Sequence, residues 1–196
     1  PTCTVNGATQ RDVIFDYGVI SPTLIPQSTV YSYSDIGVQN TVTIECDAKT
    51  YLTFTASDTY ADTELSVNNT SGWFHLVDKA NPETAVGAAF FAWDNVTVDS
   101  KPAYISRAND VSITGTSYNN ALYKGPTNGW TSEKQISVDK NALALISGEI
   151  FQASFRQGMT MSTFILSRDE LSKKGIDLSN GLDFMGEAVL TFNFGV

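Results

Sequence analysis

The sequence predicts an all-β sandwich carrying one short helix near residues 167–175. Three observations lead there. About ten short apolar runs are separated by turn signals roughly every 8–12 residues, the spacing of sandwich strands. The last of them, residues 186–196, places Ala188, Leu190, Phe192, Phe194 and Val196 on every second position. Glu187, Thr191, Asn193 and Gly195 fill the alternate positions, with Val189 the exception, and a period of two means a strand with one buried face. Only one segment carries helix signals at both of its ends.

Taken in order, residues 12–20 (DVIFDYGVI) set Val13, Phe15 and Tyr17 on one face, and Gly18 marks a bulge or turn. Pro22 and Pro26 bracket an irregular connection over residues 21–27. Residues 29–37, rich in Tyr and Ser, read as an edge strand or a loop. Between residues 40 and 56, Val42, Ile44 and Cys46 share one parity, as do Leu52, Phe54 and Ala56. This predicts two strands, about 40–47 and 50–57, joined by Asp47-Ala48-Lys49-Thr50, or one bent strand. Residues 59–71 are a polar loop with Asn68-Asn69-Thr70 at its tip. Residues 73–77 read as a short strand and 85–98 as a longer one containing Phe90, Phe91 and Trp93. Further short strands are expected at 104–105, 110–114, 121–123, 133–138, 149–155 and 161–166, with a turn over 125–129. In the helix, Ser167 and Glu170 form a capping box, Asp169 and Glu170 occupy the first turn, Lys173 and Lys174 the last, and Gly175 stops it. No repeat, low-complexity tract or linker divides the chain, so residues 1–196 are expected to form a single domain.

Composition narrows the function classes. The 196 residues are 42% hydrophobic and 17% charged, enough for a packed core. A net charge of −9 disfavours nucleic acid and anionic membranes as partners. No apolar run approaches the roughly 20 residues of a membrane-spanning helix. The two cysteines, Cys3 and Cys46, in a chain poor in Lys and Arg, suit an exported protein. They form either a disulfide, worth about 4 kcal/mol in the chain-entropy model, or two separate buried thiols.

The inventory for catalysis is thin. His75, the one histidine, sits in an apolar strand, and a Ser-His-Asp triad would have to use it. Zinc and iron lack ligands, and no Gly-rich loop offers a phosphate cradle. Oxygen ligands are the remaining metal option: Asp94, Asn95 and Asp99 lie close together, as do Asp58, Asp62 and Glu64, and neither group has EF-hand spacing. No catalytic residue, metal or cofactor is therefore expected. Trp73, Trp93 and Trp130 read either as core or as stacking platforms for sugars.

The final strand poses a question of its own. It runs to the last residue given, and its apolar side chains are worth roughly 6–12 kcal/mol when buried. Left at an open edge, such a strand is a template for pairing. Either the chain covers both of its edges or a partner comes from another molecule.

Cys3 leading into the strand with Asp16-Tyr17-Gly18, Cys46 closing an alternating strand before Asp47-Ala48, and Ile176-Asp177-Leu178 followed by Gly186-Glu187-Ala188 and the terminal strand together resemble subunits of chaperone–usher fimbriae. The closest resemblance is to the beta-type fimbrial subunits long filed as a domain of unknown function. It implies an incomplete immunoglobulin-like sandwich whose last strand is supplied in trans, first by a periplasmic chaperone and then by an extension of the neighbouring fimbrial subunit assembled at the usher. It also implies passage through the periplasm to a cell-surface fimbria, and a chaperone grip on the carboxylate of Val196. The groove walls expected on this basis are Leu190, Phe192, Phe194 and Val196 on one side and Val13, Phe15 and Tyr17 on the other. The alternative is a fimbrial tip adhesin or secreted carbohydrate-binding module, with a host glycan or protein as receptor, resting on Trp73 and Trp130. A hydrolase on a jelly-roll scaffold is the third reading.

Overall fold

A computed structural model describes residues 1–6, 12–33, 38–67, 70–115, 118–158 and 163–195. In chain order the strands are β1 (Cys3–Val5), β2 (Asp12–Ile20), β3 (Tyr31–Tyr33), β4 (Gln39–Thr50), β5 (Leu52–Asp58), β6 (Phe74–Asp78) and β7 (Asn81–Ala89). They continue with β8 (Phe91–Val98), β9 (Lys101–Pro102), β10 (Tyr104–Arg107), β11 (Asn128–Thr131), β12 (Gly148–Gln157), β13 (Thr163–Ile165) and β14 (Leu182–Phe194). The helix α1 (Arg168–Lys173) lies between the last two strands. One sheet has the order β1-β4-β12-β8-β9. The other runs β10-β11-β5-β14-β6-β7-β13-β3, with β2 added on β14. All the ladders between these strands are antiparallel, and the two sheets form the predicted sandwich.

The alternating residues meet between the sheets. Phe15 on β2 stacks on Phe91 of β8 at 3.6 Å between ring centroids. Phe54 on β5 reaches Phe155 of β12 edge-on, and Trp130 on β11 reaches Phe151 of the same strand. At the other end Tyr17, Tyr33 and Phe184 pack together, and the Tyr17 hydroxyl bonds Thr163 Oγ1 at 3.3 Å. Each ring contributes on the order of 2–3 kcal/mol through the area it removes from water.

Several local expectations match. Opposite Phe184 and Met185, β2 places Gly18 and Asp16, so Tyr17 is the extra residue of a bulge. Gly18 takes the φ of +69° that this bulge needs and that glycine adopts without strain. Ser167 Oγ accepts from Glu170 N at 3.2 Å, capping α1, and Gly175 at φ +80° follows the helix.

Other boundaries differ. Residues 47–50 do not form a connection: β4 continues through them to Thr50, because β1 and β12 flank it. Asp47 N donates to Thr2 O at 3.0 Å and Thr50 pairs with Gly148. The chain changes sheets at Tyr51 instead. The single strand expected over 85–98 is two strands in different sheets, broken at Phe90. Phe90 packs on Trp73 while Phe91 enters the core against Phe15. Residues 110–114 and 133–138 are not strands. Part of the expected turn at 125–129 is instead the start of β11, whose four residues are all buried. Its Asn128 amide is tied inward: Nδ2 donates to Phe54 O at 3.4 Å and Pro126 O at 3.2 Å. The terminal strand begins at Leu182, four residues before the predicted start. Residues 34–37, Asn68, Asn69, residues 161–162 and Val196 lie outside the described residues.

Candidate functional site

The two edges of β14 are covered unequally. On one edge, β5 pairs with residues 188–194 and β6 with Phe184 and Met185. On the other, β2 pairs from Leu182↔Ile20 to Val189↔Asp12. Ala188 has Cα partners on both sides, Val13 and Asp58, which establishes that β2 and β5 flank opposite edges. Beyond Val189, no strand among the described residues lies along the β2 edge.

Backbone direction along that free stretch follows from two hydrogen bonds. Gly195 N donates to Tyr51 O at 3.1 Å, and Glu187 O accepts from Thr59 N at 3.3 Å. Odd-numbered residues therefore turn their N–H and C=O groups toward β5. By the alternation of an antiparallel strand, Leu190, Phe192 and Phe194 turn theirs toward the open edge. Their side chains point inward: Leu190 is fully buried, Phe192 nearly so, and Phe194 is half-buried with its ring 6.4 Å from that of Phe192. The result is a short ladder of main-chain groups above an apolar floor, with no partner strand among the described residues.

The remaining expected groove residues are placed differently. Val13, Phe15 and Tyr17 are buried, but on a strand hydrogen-bonded directly to the first half of β14, not across a gap from its second half. They are core rather than a facing wall, because the bulge at Tyr17 lets β2 stay in register with β14 as far as Asp12. Near that point Asn40 Nδ2 of β4 donates to Ile14 O, so β2 also ties the two sheets together. What the sequence missed is that the chain itself covers half of the edge. The earlier onset of β14, with Leu182 and Phe184 on the buried parity, was the available signal.

The disulfide Cys3–Cys46 is formed. It fastens β1 to β4 in the register Cys3↔Cys46, Thr4↔Glu45, Val5↔Ile44. It holds residues 3–5 in the sheet opposite β14.

The candidate chemical residues have structural partners. His75 is half-buried, with Nδ1 2.9 Å from Thr63 Oγ1. That hydroxyl donates to Tyr60 O at 2.7 Å, so it accepts from His75, which carries its proton on Nδ1. Burial lowers the His75 pKa, favouring the neutral ring. Asp94 pairs with Arg156 at 2.7 Å, and Asp99 accepts from Glu149 N and Ile150 N, both at 2.9 Å. Those two backbone bonds hold Asp99 below the usual carboxylate range. Among the described residues no group of three His, Cys, Asp or Glu side chains is arranged to hold a metal ion. Trp93 and Trp130 are core, and Trp130 Nε1 donates to Gln152 O at 3.1 Å, which removes it as a sugar platform. Trp73 is only half-buried.

Asp58 closes the junction of β5, β6 and β14. Its carboxylate accepts from His75 N at 2.8 Å and Tyr60 N at 2.9 Å. Burial outweighs these bonds and raises its pKa. A carboxyl whose folded pKa exceeds its unfolded one stabilises the fold fully below the unfolded value. That contribution is lost as pH rises through the folded value. Relative to Asp58→Asn, the native protein should therefore lose stability as pH rises from below about 4 toward neutrality. Urea melts of both proteins across that range check it, and a difference that grows with pH would contradict the burial argument.

No family model, curated protein or solved structure matches the chain. Fold and edge together define a disulfide-bonded, antiparallel all-β sandwich whose last strand, among the described residues, has a partner along only part of one edge.

Proposed function

We propose that this chain is a strand-accepting structural subunit, a fimbrial pilin that polymerises by donor-strand exchange after capping by a periplasmic chaperone. In this reading it is an incomplete immunoglobulin-like sandwich completed by a strand from a neighbouring subunit. The observation that carries the proposal is the trio of main-chain positions at Leu190, Phe192 and Phe194, which lie directly over the core and for which no partner strand lies among the described residues. A guest strand there gains ladder hydrogen bonds along β14 and buries its alternate side chains at the seam between the sheets, which is strand addition. The half of β14 already covered by β2 limits the guest to a short footprint beyond Val189. The resemblance at Cys3, Cys46 and the terminal strand supports the same reading, and the disulfide fits an oxidising compartment such as the periplasm.

Donor binding is tested with a synthetic peptide of about ten residues alternating apolar and polar, added to the full chain. Binding to the native state alone should raise the melting free energy by about 2.7 kcal/mol at a hundredfold excess over Kd, with a control peptide of shuffled parity inactive. A sharp melt unmoved by any alternating peptide or by a chaperone counts against the proposal.

A further inference from the structure

We draw no further inference here: the strongest candidate, the cleft of about 400 Å³ between Tyr51 at the β4–β5 crossing and residues 140–145 ahead of β12, is lined mostly by apolar side chains, and nothing in the structure shows what covers it.

Discussion

Trp130→Ala is expected to be the most damaging single side-chain truncation in this chain, lowering stability by about 3–5 kcal/mol. Trp130 is fully buried on β11, packs 5.5 Å from Phe54 and 5.6 Å from Phe151 between ring centroids, and donates Nε1–H to Gln152 O. Phe54 lies on β5, while Phe151 and Gln152 lie on β12, so one side chain joins both sheets. Truncation leaves a large void and an unpaired carbonyl, two costs that add. For a domain of this size the melting temperature should fall by roughly 6–20 °C. Calorimetry decides the matter: a shift below about 2 °C would mean that the ring is not a core element. Such a result would return Trp130 to the list of sugar platforms.

Replacing both cysteines by alanine should cost about 4 kcal/mol in the chain-entropy model, for a bond joining residues 43 apart in sequence. The expected drop in melting temperature is roughly 8–16 °C. The consequence is local as well as global. β1 has three residues, kept on β4 by this bond, a short ladder and the flanking hydrogen bonds Thr2 N to Asp47 Oδ1 and Thr43 N to Asn6 Oδ1, both 2.8 Å. Once released, residues 1–6 are free to leave that sheet, and amide exchange should rise first along β1 and the facing part of β4. Uniform exchange changes across the molecule, with β1 no different from the rest, would contradict this assignment.

The fold class was legible because alternation survives wherever one face is buried. Leu190 and Phe192, Val13 and Phe15, and Val42 and Ile44 all point inward as their parity requires. The helix was legible from Ser167 and Gly175, since capping is a local property. Boundaries failed where two sheets share one run of sequence. Nothing at Phe90 marks a change of sheet, because both sides of the break are extended and apolar; at Tyr51 the polar run Asp47-Ala48-Lys49-Thr50 signalled a connection, but the strand runs through it and breaks one residue later. β11 escaped notice because Asn128, Gly129 and Thr131 are polar or small. They become strand only through partners distant in sequence, such as Phe54 O and Ser106 Oγ. For the candidate site, parity identified Leu190, Phe192 and Phe194 as one apolar face. It did not reveal which strand takes the neighbouring edge, a property of topology rather than of local pattern. Hence β2 was expected as a wall facing the gap and lies instead beside β14, paired with its first half.

Hydrogen exchange at three amides tests the account most directly. In the isolated full chain, the N–H groups of Leu190, Phe192 and Phe194 should exchange fast while those of Thr191 and Asn193, turned toward β5, stay protected. Addition of an alternating donor peptide should then slow the first three selectively. Protection at Leu190, Phe192 and Phe194 in the chain alone, unchanged by any peptide, would mean that the edge is already occupied and that the strand-acceptor account is wrong.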